Sequence, residues 1–236
     1  AFGCVCPEGK ARFVTERGDE VAELLAGGVV LCLADLRGSG ETCPDEERGR
    51  EGEGNTVSAE ELMLGGTLLG SRVRDLRAVL TWLRSRPEVS ASRLALWGAS
   101  LAGTNPPDFG PCPQEGDGID VRNSRDWLAG RRKPVLAEPG GALAVLLGAL
   151  FEPGVAAVLA EGGPVSFASM LEAVETHLPH DAHVPGALGA GDLPPVVESL
   201  SCAVGLTGQV DGLNRPAEGA SGGPGGSATW LLERLG

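Results

Sequence analysis

Arg93-Leu94-Ala95-Leu96-Trp97-Gly98-Ala99-Ser100-Leu101-Ala102-Gly103 is the stretch from which the fold can be read. A short apolar run carries the chain to a serine set among small residues, the pattern of a buried strand that ends in a sharp turn. Where such a turn presents a serine as a nucleophile, a nucleophile elbow, its backbone is strained and neighbouring backbones come close, so the flanking residues must be small. Gly98 and Ala102 meet that demand. The usual Gly-x-Ser-x-Gly pattern is broken at its last place, where Ala102 stands and Gly103 comes one residue later. The bland alternative is a turn-forming or helix-capping serine.

Working towards the amino terminus, Leu69, Val73, Leu76, Leu80 and Leu83 recur at helical spacing, so a helix is expected from Ala59 to just before Pro87. The polar, glycine-rich Cys43 to Asn55 reads as a surface loop. Val29 to Ala34 is an unbroken apolar run, as a strand covered on both faces requires. Before it, Val21, Leu24 and Leu25 mark a helix over Asp19 to Ala26, stopped by Gly27-Gly28. Ala1 to Cys6 reads as a strand that enters the turn Pro7-Glu8-Gly9-Lys10. Strand, helix, strand, helix, strand predicts an α/β protein with a doubly wound, mostly parallel sheet and helices on both faces. Ser100 then sits at the carboxyl end of a strand, where such sheets bind ligands.

Beyond the serine, Thr104-Asn105-Pro106-Pro107-Asp108 cannot continue a long helix. The apolar helix expected directly after the turn begins only at Pro139-Gly140-Gly141 and runs over Ala142 to Phe151, which makes 101–140 an inserted loop region. Val155 to Ala160 is another buried strand, with a short helix after it around Phe167 to Val174. A histidine-bearing loop spans Thr176 to Gly186. Asp192 caps a helix through Leu200, and Ala203 to Thr207 is the last strand. The tail 216–227 is glycine-rich, and Trp230 to Leu235 closes as a short helix. Neither repeats nor a second domain show, so 1–236 reads as one domain.

With 236 residues, 42% of them hydrophobic and 22% charged, the chain can build a proper core. Its formal charge of -13 argues against nucleic acid or an anionic membrane as partner. The longest apolar segment is too short to span a bilayer and no cleavable leader opens the chain, so it reads as soluble, with its compartment unmarked. The six cysteines lack zinc-ribbon or redox spacing; most read as small buried hydrophobes, and a Cys43–Cys112 bridge between two loops is the one pairing to test.

Asp35-Leu36-Arg37-Gly38-Ser39-Gly40-Glu41-Thr42 after a strand, Leu94 to Ala102 around the serine, and Val210-Asp211 after the last strand together resemble the α/β-hydrolases. The similarity is greatest to the acetyl xylan esterase and dienelactone hydrolase-like branch, over about Pro7 to Arg215. Complete members carry further strands ahead of the first one here, so the chain resembles a core without them, and a homodimer covering the exposed edge is expected. The resemblance implies a serine esterase acting on a small-molecule or carbohydrate ester, without a cofactor. It implies Ser100 as nucleophile, the Leu101 amide as one oxyanion donor, and Glu8 or Gly9 as the second, since Pro7 has no amide proton. Asp211 matches the acid, although an aspartate before glycine is also a common turn former. The family's histidine comes after the final strand, and none does here. His177, His180 and His183 share one earlier loop; His180 is preferred as base with His183 in reserve, and Glu138 or Glu161 could replace Asp211. Two rival readings stand beside the esterase: a catalytically impaired hydrolase-fold binding protein, and a metal-dependent hydrolase using the three histidines, whose ring alignment Pro179 breaks.

Overall fold

Apolar runs that match strands buried on both faces form the centre of the computed structural model, which describes residues 2–5 (backbone only), 9–44, 55–90, 93–110, 134–172, 175–218 and 226–236. The strands are β1 (Phe2–Val5), β2 (Leu31–Ala34), β3 (Leu94–Gly98), β4 (Val155–Glu161) and β5 (Ala203–Thr207). They lie in the order β2-β1-β3-β4-β5, and every neighbouring pair is parallel. The chain moves outward from β1 to β2, then crosses back to β3 on the other side. The sheet is therefore wound in both directions, with its switch point between β1 and β3, and the carboxyl end of β3 faces the crevice. In register, Gly98 of β3 lies opposite Val5 of β1 and Ala160 of β4.

Every residue of β3 is buried, and alternate side chains serve opposite faces. Leu96 enters a cluster with Leu76 and Leu80 of α4 (Leu68–Arg84) and with Leu143 and Val145 of α5 (Gly140–Leu150). Ala95 and Trp97 enter the opposite cluster. There they meet Phe13 of α1 (Lys10–Glu16), Leu24 of α2 (Gly18–Ala26) and Leu231 of the carboxyl-terminal helix Ser227–Leu235. The helix α5 is apolar around almost its whole circumference because it lies against the sheet between neighbouring elements. Glu152, just past its end, is buried and accepts hydrogen bonds from Arg77 and Arg84 of α4, fastening the two helices together. Burial pushes its carboxyl up, and the two guanidinium bonds outweigh that and hold it below 4.5.

Several elements differ from the sequence expectation, β2 among them, which starts at Leu31 and not at Val29. The long helix expected from Ala59 is two, α3 (Asn55–Met63) and α4, because Gly65 turns the chain at φ 82° and the Thr67 hydroxyl caps α4 by accepting from the Gly70 amide at 3.0 Å. The helix α1 has no counterpart in that expectation. Around Phe167 to Val174 the chain makes only a 3-10 turn, Ala168–Leu171, with 173 and 174 outside the described residues. Beyond it come a one-turn helix α6 (Ala187–Ala190) and α7 (Leu193–Ser199), whose Asp192 cap accepts from the Leu193 amide at 2.7 Å. The carboxyl-terminal helix is α8. No helix among the described residues is long and apolar enough to cross a membrane. Cys112 lies outside the described residues, so the Cys43–Cys112 pairing raised above falls outside them too; Cys32 and Cys202 are free.

Candidate functional site

The last residues of β3 deliver Ser100 to the carboxyl edge of the sheet, where its amide donates to the Glu161 carbonyl at 3.1 Å and so extends the pairing with β4 by one step. The serine is held closely from that side. Gly162 comes directly after β4 at φ 71°, and a Cβ there would stand 2.3 Å from the Ser100 Cβ, so only glycine fits. On the other side, a Cβ on Gly98 would lie 2.1 Å from the Gly141 carbonyl oxygen, which shows how near α5 comes to β3. Gly98 thus makes the close approach that the sequence pattern asks of it, and Gly162 adds a second one from β4.

The serine backbone is nevertheless relaxed. Among the described residues Asn214 is the one non-glycine with positive φ, so Ser100 does not adopt the strained backbone of a nucleophile elbow. The physical reason lies in the chain immediately beyond it. Strain in such a turn comes from reversing a strand directly into a helix, whereas here residues 101–106 run on without regular structure and α5 starts at Gly140. The Ser100 hydroxyl accepts a weak bond from the Ala102 amide at 3.3 Å.

The Leu101 amide donates to Glu138 Oε2 at 3.1 Å. Arg12 of α1 closes the arrangement: its Nη1 donates to Glu138 Oε1 at 2.8 Å and its Nη2 to the Leu101 carbonyl at 3.2 Å. The expected first oxyanion donor therefore already has an acceptor. Gly9, at φ 92°, caps α1 and accepts from the Phe13 amide at 3.3 Å; Glu8 lies outside the described residues. The Asp35 carboxylate fixes this turn by accepting from the Lys10 amide at 2.6 Å and from the Glu41 amide at 3.1 Å. Lys10 Nζ sits 2.7 Å from Glu41 and 3.6 Å from Asp35, and those carboxylates, Glu41 first, raise its pKa.

The other candidates are bonded elsewhere. Asp211 accepts from the Leu213 and Arg215 amides, each at 2.9 Å, and from Arg215 Nε at 2.7 Å, which is the chemistry of a turn aspartate. Glu161 is buried beneath Ser100, where it accepts from Trp97 Nε1 at 2.7 Å, from the Ser227 hydroxyl and from Arg17 at 3.3 Å. His180 shares a 2.9 Å hydrogen bond with the Ser58 hydroxyl of α3, and His183 Nδ1 lies 3.1 Å from the Pro179 carbonyl. The buried His177 has Nδ1 3.2 Å from the Leu213 carbonyl and 3.4 Å from Asn105 Nδ2, with Nε2 3.7 Å from Glu175. None of the three is bonded to Ser100 or converges with the others, and no group of three or more histidine, cysteine, aspartate or glutamate side chains among the described residues could hold a metal ion.

No protein-family model matches the chain, and no curated protein does. Among solved structures, one from Bacteroides fragilis, described as a "putative acetyl xylan esterase", matches with a TM-score of 0.60 and 13% identity. The match covers 88% of this chain and 51% of that one. The fold is α/β-hydrolase-like. The chain spans about half the length of that neighbour, and its sheet is a partial hydrolase-like core. Within this core, sequence reasoning singled out Ser100, Leu101 and Glu138 separately and missed Arg12, which joins the last two from 89 and 126 positions away. It also missed a polar knot behind the serine. Asn105 Nδ2 donates to the Leu213 carbonyl at 2.8 Å, while Asn214 Nδ2 donates to the Gly103 and Val135 carbonyls, both at 3.0 Å. The only local signal for the knot was an asparagine in each of two proline-flanked turns.

Proposed function

We propose that this chain is the core of a serine ester hydrolase acting on carboxylic esters, acetylated or acylated carbohydrates among them, through an acyl-enzyme on Ser100. The observation that carries the reading is the position of Ser100: at the carboxyl end of a fully buried central parallel strand, pressed by Gly162, in a fold whose solved neighbour is described as an esterase. In the reaction a base takes the hydroxyl proton as Oγ attacks the ester carbonyl. The alcohol leaves with a proton, and water then releases the acid. His180 is the proposed base and His183 its reserve, brought to Ser100 when the ester binds and the His180–Ser58 bond opens. Asp211 is the proposed acid, released from Arg215 in the same rearrangement. The Leu101 amide, freed from Glu138, and the Gly9 turn supply the oxyanion donors.

A second reading, a hydrolase-fold binding protein without turnover, is favoured by the Glu138 hold on the Leu101 amide, because a tetrahedral oxyanion needs a free donor. Nitrophenol release from acetyl to octanoyl esters separates the two. The esterase reading expects turnover that falls about a thousandfold or more in Ser100→Ala and steeply in His180→Ala. Turnover that survives Ser100→Ala refutes it, and none at any acyl length leaves the binding reading.

A further inference from the structure

We infer that the Leu101 amide and the Arg12 guanidinium form a seat for a small carboxylate, and that Glu138 is the chain's own occupant of it. The two Glu138 oxygens are divided between the two donors, Oε1 to Arg12 Nη1 at 2.8 Å and Oε2 to the Leu101 amide at 3.1 Å. That spacing suits a planar carboxylate spanning two donors, and both bonds are charge-assisted. Arg12 is positioned for the task independently of Glu138, since its Nε donates to Glu16 at 2.6 Å one turn along α1 and its Nη2 to the Leu101 carbonyl. The seat lies one residue from Ser100 and is partly exposed to solvent, with the Glu138 side chain 16% and that of Arg12 31% exposed. Glu138 reaches it from a segment without regular structure that ends at the start of α5, so it can leave without unwinding a helix. A free monocarboxylate of acetate size presents the same two oxygens. Identifying that ligand with the acid released by ester hydrolysis rests on the proposed reading of Ser100; the seat does not.

The test is acetate binding to the full chain, measured by calorimetry and by the Leu101 amide resonance. Glu138→Ala is expected to bind acetate saturably and at least about tenfold more tightly than the unmodified chain. Adding Arg12→Ala is expected to abolish this, and acetamide, a neutral molecule of the same shape, is expected not to bind. Acetate binding no tighter in Glu138→Ala than in the unmodified chain, or undiminished by Arg12→Ala, overturns the inference, as does equal binding of acetamide. Glu138→Gln keeps the side-chain volume and an acceptor for the Leu101 amide while giving up the ion pair; it too is expected to yield the seat to acetate. If Glu138→Ala does not fold, Glu138→Gln binding acetate no better than the unmodified chain refutes the proposal. Ester turnover measured on the same samples separates the two readings: acetate binding without turnover sinks the esterase alone, and turnover without acetate binding sinks the seat alone.

Discussion

Replacing Gly98 with alanine tests the packing on which the whole site depends. A Cβ at this position would stand 2.1 Å from the Gly141 carbonyl oxygen, 2.4 Å from its carbon and 2.7 Å from Val145 Cγ2. Two of these obstacles are backbone, so no rotamer change relieves them. Either α5 retreats from β3 by about 1 Å or more, or the β3 pairing with β1 and β4 bends. Overpacking of a filled core costs typically about 1–3 kcal/mol. With backbone as the obstacle and both flanking faces buried, the upper end applies, about 3 kcal/mol. For a chain of this size that lowers the melting temperature by about 6–12 °C. Urea unfolding monitored by far-ultraviolet circular dichroism measures it, with Gly103→Ala as control, since a Cβ there meets nothing within 4 Å. The control is expected within about 0.5 kcal/mol of the unmodified chain. A Gly98→Ala protein as stable as that control would mean that α5 does not abut β3. The account of Ser100 and its neighbours would then fall with it.

Glu161→Ala removes the acceptor shared by Trp97 Nε1, Ser227 and Arg17, taking a charge-assisted bond from two buried donors at the junction of β3 and α8. A loss of about 3 kcal/mol is expected, measured by denaturant unfolding, and a loss below about 1 kcal/mol would show that α8 does not close on Glu161. Glu152 makes the fold sensitive to acid. Its carboxyl is held below 4.5 by Arg84 and Arg77, so its stabilisation is fully present above its unfolded pKa near 4.5 and is lost as pH falls through the lower folded value. Glu152→Gln is expected to cost about 1–2 kcal/mol at pH 7, with the gap to the unmodified chain closing towards pH 3; a gap constant with pH would refute the cause assigned.

The legibility of each element in the sequence depends on where its signal comes from. A strand buried on both faces must be apolar almost throughout, so β4 could be read almost to the residue, and the all-round apolarity of α5 marked it as central; β5, a half-buried edge strand, was read from its short apolar run alone. Helix α1 was hidden because Phe13 is its one buried side chain, and a single anchor makes no periodic stripe. The break between α3 and α4 was signalled by Gly65-Gly66-Thr67, a stop and a cap in succession, which the strong stripe from Leu69 to Leu83 masked. The partners of the site carboxylates were not legible at all. Arg12 and Glu138 meet across 126 positions, and nothing local distinguishes Glu138 from a carboxylate at a helix end. Asp211 shows the reverse case: its turn chemistry with Leu213 and Arg215 is local, and the structure realises it.

Ser100 itself shows why a sequence pattern can be met without its usual conformation. The small residues of the pattern answer to close approach, and that demand survives here, since Gly98 meets α5 and Gly162 meets the serine. Strain answers to a different demand, the direct reversal from strand to helix, and that reversal is missing here, since residues 101–106 run on without regular structure and α5 begins only at Gly140. The vacated beginning of the helix is reached instead by Glu138 at the far end of the same excursion, whose carboxylate bonds the Leu101 amide. One rearrangement of sequence thus accounts for both departures at the site. Relaxing the serine and occupying its neighbouring amide are the two consequences of separating β3 from α5 while keeping them in contact.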